Sequence, residues 1–74
     1  MEKAQEKIKK NFEVDTKIVL PIMKRTYKTR EEKERAYNRY CNYIWGLNHF
    51  ELITVDEACD MITKVAEVFY ASNS

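Results

Sequence analysis

From Thr29 to Leu47 the side chains Lys33, Tyr37, Tyr40, Ile44 and Leu47 recur at alternating steps of four and three. That spacing lines up one face of an α-helix. A second series, Val55, Ala58, Ile62, Val65 and Phe69, is spaced three, four, three and four. Each stripe needs a partner, and together they predict an antiparallel helical hairpin over about 30–48 and 55–70. Both starts carry a capping box, Thr29 with Glu32 and Thr54 with Glu57, in which the hydroxyl and the carboxylate each satisfy the other residue's backbone N–H. Glu31, Glu32 and Glu34 in the first helix, and Asp56 and Glu57 in the second, fall where the positive end of the helix dipole favours them. Gly46 costs up to about 1 kcal/mol in a helix interior, so it reads as an early helix end or as a point where another backbone comes close. The connection, 48–53, has a length that suits antiparallel neighbours. Its Phe50, Leu52 and Ile53 predict a hydrophobic plug, with Ile53 stapled against the following turn.

Before the hairpin, Ala4, Ile8 and Phe12 recur at four-residue steps and predict a short amphipathic helix that frays at Met1 to Lys3. The stretch from Val14 to Tyr27 supports two readings. Asp15 can cap a helix whose inner face carries Ile18, Val19, Ile22, Met23 and Thr26, broken or kinked near Pro21. Alternatively 17–23 is an extended apolar strap, because the residue before a proline, Leu20, is pushed toward extended backbone. A lone strand would have nothing to pair with in this chain, which favours the helix. The expected fold is all-α: a small single domain over 1–74, the hairpin with one or two short N-terminal helices packed across it, and a polar end at 72–74.

A chain of 74 residues buries only about 60% of the surface its unfolded form exposes. Domains this small need very good helix packing, a staple or a partner chain. Nine large aromatics and only two cysteines, Cys41 and Cys59, point to packing and partners. The first residues are too charged for a signal peptide, and no apolar run approaches the roughly 20 residues that span a bilayer. A soluble, cytoplasmic chain without a membrane partner is expected, its cysteines free thiols on the facing helices of the hairpin and acting there as small hydrophobes. The net charge of +1 is unevenly placed: eleven Lys or Arg against seven Asp or Glu up to Arg35 give +4, and two against five beyond it give −3.

Candidate chemistry is sparse. Cys41, His49 and Cys59 lack the paired spacing and the fourth ligand of a zinc site. The single histidine has no nucleophile signature beside it, and it reads as a cap on the last carbonyls of the central helix. No metal, cofactor or catalytic activity is expected. Two clusters remain. Lys24, Arg25, Lys28 and Arg30, with Tyr27 between them and Arg35 and Arg39 following at steps of five and four along the next helix, form a basic patch able to contact phosphates or an acidic surface, Tyr27 stacking on a base in the first case. Glu31, Glu32 and Glu34 beside it reduce its field. Arg39, Tyr43 and Trp45 are residue types enriched at binding hot spots and lie around one helix, covered either by the N-terminal segment or by another chain. The expected function is a non-enzymatic interaction protein that binds a protein partner, as an inhibitor or regulator of a larger complex; chains of this size suit phage or mobile-element accessory proteins. The alternatives are a nucleic-acid-binding regulator that uses 24–30, and a homodimer that completes a four-helix bundle.

Overall fold

The computed structural model describes residues 2–70, all but the connections helical; the polar end at 72–74 and fraying at Met1 lie outside them. The N-terminal half is one helical path of 25 residues: α1 (Glu2–Val14), a π-helical turn (Asp15–Val19) and α2 (Leu20–Thr26). At 1.5 Å per residue it runs roughly 37 Å, matching the 38 Å long axis of the molecule. It is therefore a full-length layer, already helical at Glu2, on the hairpin of α3 (Arg30–His49) and α4 (Val55–Tyr70).

The π turn corrects the expected break at Pro21 and removes the extended strap. Leu20 is helical, with φ −65° and ψ −40°, and its N–H bonds the Asp15 carbonyl five residues back. Pro21, with no N–H to give, then enters at the start of α2, where the wider turn leaves its missing donor outside the four-residue ladder. Fully burying a leucine contributes about 1.5–3 kcal/mol, and Leu20 is 0% exposed. That burial outweighs the pre-proline preference for extended backbone. The turn also resets which side chains face inward. Phe12, Leu20 and, in part, Ile8 and Met23 pack into the core, while Ile18, Val19 and Ile22, expected inside, are outside. Asp15 caps nothing, because the helix runs through it.

In the hairpin both capping boxes are formed. Thr29 Oγ1 accepts from Glu32 N at 3.1 Å and Glu32 Oε1 from Thr29 N at 3.2 Å; Thr54 Oγ1 accepts from Glu57 N at 3.1 Å and Glu57 Oε1 from Thr54 N at 2.8 Å. Ala36 and Ile44 of α3 meet Ala58, Met61, Val65 and Phe69 of α4, with Tyr37, Tyr40 and Leu47 packed around them. Val55 is exposed, and Met61 takes its place in the stripe. Cys41 is half-buried and Cys59 is exposed, so Cys59 is not the core group expected.

The connection closes by backbone hydrogen bonds more than by a plug. Leu52 N donates to Leu47 O at 2.9 Å and Glu51 N to Asn48 O at 2.8 Å, the paired bonds of a Schellman C-cap. Asn48 Nδ2 adds a bond to Ile53 O at 3.0 Å. Ile53 is buried, but Phe50 is 74% exposed and stands edge-on to His49. The helix passes straight through Gly46, and a Cβ there would meet nothing within 4 Å; neither an early end nor a close approach explains it. The residue with left-handed backbone is Glu51, at φ 62°. Glu51→Gly is expected to raise the unfolding free energy by about 1 kcal/mol by removing the Cβ penalty. Gly46→Ala is expected to raise it by up to about 1 kcal/mol through helix propensity. Urea denaturation of the two variants beside the parent checks both.

Candidate functional site

Beside α3, α2 leaves an open groove of about 590 Å³. Its base is Ala36, too small to fill the space, and Tyr40, whose ring lies 6.3 Å from Phe12 of α1. The Tyr40 hydroxyl donates to Asp15 Oδ2 at 2.5 Å, so the π turn is bonded to α3 across the layers. Burial, and then this bond to a carboxylate, push the Tyr40 phenol well above its ordinary value. Tyr43 stands edge-on to Tyr40 at 5.5 Å and is 48% exposed. Arg35, Arg39 and Tyr43 follow one another at four-residue steps on α3, and Met23 and Tyr27 line the groove from α2 and its C-cap. At the end of the groove nearest the α3 N-terminus, Glu32 accepts from the backbone of both Thr29 and Lys28. Those bonds, the one from Thr29 foremost, hold its carboxyl below the usual range.

The predicted interface residues divide. Arg39 and Tyr43 share this groove. Trp45, half-exposed, is two residues past Tyr43 and so about 200° around the helix; it does not line the groove. The basic cluster divides too. Tyr27 turns into the groove and packs on the core. Lys28 and Arg30 lie instead against Lys33, Glu34, Tyr37 and Tyr70, and Arg30 Nε is 3.3 Å from Glu34 Oε1. Arg25 is exposed and Lys24 half-buried. Residues 24–30 do not make one basic face.

Arg35, expected with Arg39 as the continuation of the basic patch, lies beside Arg39 in the groove. Two features escaped the sequence reading. Asp15, expected as a helix cap, belongs to the groove. On the N-terminal helix, Val14, Ile18 and Ile22 are 51%, 55% and 48% exposed and form a ridge at four-residue steps. In an α-helix each such step overshoots a full turn by about 40°. The π turn holds more residues per turn, so the step across it undershoots and the three side chains stay in line. Exposed Lys10, Lys17 and Arg25 flank them. The available signal was the four-residue spacing itself, which fits an outer ridge as well as an inner face. Among the described residues no cluster of His, Cys, Asp and Glu is placed to hold a metal ion, and no helix is long and apolar enough to cross a membrane.

The fold and these surfaces define a small all-α domain with an aromatic, arginine-lined groove and an apolar ridge. No protein-family model, curated protein or solved structure matches the chain, so any functional reading rests on these surfaces.

The Tyr40 bond gives the stability a pH dependence with a definite sign. In the unfolded chain the phenol ionises near 10.0, whereas the folded value is higher. The folded state therefore holds its proton longer, and stability present below pH 10 is lost as pH rises above it. Tyr40→Phe is expected to cost about 1 kcal/mol at neutral pH, from the hydrogen bond and the Asp15 carboxylate left without it. The same variant should flatten the loss of stability above pH 10. Denaturation midpoints measured from pH 7 to 11 for parent and variant test both parts.

Proposed function

We propose that this chain is a non-enzymatic protein-binding domain that docks on a protein partner and acts as an inhibitor or regulator of a larger complex. The observation that carries the reading is the ridge of Val14, Ile18 and Ile22, exposed on the outside of a helix whose opposite side already closes the core. Contiguous uncovered apolar side chains on a small domain mark interaction surfaces. The ridge alone is weak. Three aliphatic side chains already half-buried release roughly 1 kcal/mol each on being covered, well short of the about 8 kcal/mol of micromolar binding. A partner must also engage polar and aromatic groups, and the exposed Tyr43 and Arg39 are suited to that. The basic residues at 24–30, spread over two sides, favour approach to an acidic surface over reading of nucleic acid. Self-association through the ridge is opposed by charge: two ridges crossing antiparallel at Ile18 bring Lys10 of one copy toward Arg25 of the other.

Replacing Ile18 and Ile22 with glutamate tests the reading. Both are exposed, so helix content and melting temperature should hold, while a protein retained by the parent chain from extracts of its cell of origin is no longer retained. Retention that survives both substitutions overturns the assignment to the ridge. Sedimentation equilibrium of the reduced parent should give a monomer that ignores random duplex DNA at low salt. A dimer abolished by Ile18→Glu would assign the ridge to a second copy, and a salt-sensitive shift with DNA would move the function to the basic residues.

A further inference from the structure

We infer that the groove beside α2 and α3 is a binding site for an acidic peptide segment of the partner, its carboxylates held by Arg35 and Arg39 and one apolar side chain seated over Ala36. This rests on the protein-binding reading and names the chemistry of what binds.

Four charged side chains line the groove, two of each sign, but they are not equally committed. Asp15 accepts the Tyr40 hydroxyl at 2.5 Å. Glu32 accepts two backbone N–H groups, at 3.1 and 3.2 Å, and its charge is set at the positive end of the α3 dipole. Arg35 and Arg39 are exposed, and no hydrogen bond or ion pair within 4 Å occupies either guanidinium among the described residues, although the charge of Arg35 is felt by Glu32. Each guanidinium carries five N–H donors in a planar fork that fits a carboxylate with two parallel bonds. One oxygen of each carboxylate, Asp15 Oδ1 and Glu32 Oε2, remains, against two guanidinium forks with no hydrogen bond, so donors outnumber acceptors in the groove and an acidic ligand complements that excess.

Spacing agrees. Residues four apart on a helix stand about 5–6 Å apart at Cβ. Acidic side chains at alternate positions of an extended peptide are separated by about 6.6 Å, so one such pair can meet Arg35 and Arg39 together. Over Ala36 the groove is bounded by Met23, Tyr27 and Tyr40, side chains that suit an apolar group of the ligand. Polynucleotide is less suited, because Tyr27, the ring expected to stack on a base, is partly buried against the core, and Lys28 and Arg30 lie on another side of the molecule.

The test is an NMR titration of the 15N-labelled full chain with the peptide acetyl-Glu-Ser-Glu-Ser-Leu-amide, whose two carboxylates and leucine share one face when extended, with acetyl-Lys-Ser-Lys-Ser-Leu-amide and an oligothymidylate as comparisons. The acidic peptide should shift amides of Met23, Ala36, Arg39 and Tyr43 at low millimolar concentration, while the basic peptide leaves them in place. Arg35→Glu with Arg39→Glu, both exposed, should weaken binding by about tenfold or more, since charge-assisted bonds are lost. An absence of shifts overturns the inference, as do shifts centred elsewhere, equal binding of the basic peptide, or preferential binding of the oligothymidylate. Ile18→Glu separates this from the reading beneath it: the ridge variant should lose the partner and still shift with the acidic peptide. Should no partner depend on the ridge, the peptide shifts still decide whether the groove takes acidic segments.

Discussion

Pro21 has no amide hydrogen, and it lies inside a helix that must run the full length of the molecule. A break there would have left two short helices with separate directions. The chain instead widens to a π turn over Asp15–Val19, so that the proline enters at the start of α2 and the path stays continuous. That local solution fixes three later features. Leu20 points inward and is fully buried, Asp15 reaches Tyr40 on α3, and Ile18 and Ile22 fall in line with Val14 on the outside. In a regular α-helix Val14, Ile18 and Ile22 would instead drift by about 40° at each step.

The core that results is small and shared. Its largest fully buried side chains are Leu20, Ile44, Val65 and Phe69, drawn from α2, α3 and α4, so each later helix contributes to one junction. Ala36 and Ala58 are buried beside them and add little volume, which lets the helices approach. Removing any one of the four large side chains would expose what the others cover, as expected of a domain near the lower size limit for a single core. The hairpin is held at its ends as well. Each capping box satisfies two backbone donors, and Glu32 and Glu57 both have lowered carboxyl values because backbone N–H groups bond them. As pH falls below the ordinary carboxylate range, that contribution is lost from both helix starts together.

The hairpin was legible in the sequence because two independent signals agree in it: stripes at helical spacing and a capping box at each start. Its boundaries, predicted at about 30–48 and 55–70, lie within a residue of the observed helices. The N-terminal half was less legible for a physical reason. A π turn has no composition signal, yet it changes the phase of every residue after it, so Ile18, Val19 and Ile22 were assigned to the wrong side while Leu20, dismissed as a pre-proline residue, became a core anchor. Gly46 misled in a similar way, since the helix ends on a Schellman motif with Glu51 in the glycine-preferring position. Of the groove, Arg39 and Tyr43 were found from residue type and helix position. Trp45 failed to join them because two steps along a helix carry a side chain to the other side, and Asp15 was missed because only the fold brings it to Tyr40; Arg35 was found beside Arg39 from its spacing, as part of the basic run.

The groove and the ridge are not independent surfaces. Asp15 and Met23 line the groove, and Val19, four residues from each and 39% exposed, stands on the same side of the helix, one turn from either. Val19 thus carries the apolar surface from the ridge toward the groove edge. Because the Tyr40–Asp15 bond fixes the π turn against α3, both surfaces are held in one arrangement before anything binds. Ordering costs that weaken flexible interfaces are then small on this side of the contact. A surface too modest to bind tightly by area alone can still be selective, since a partner must match an apolar ridge and a donor-rich groove at a fixed separation.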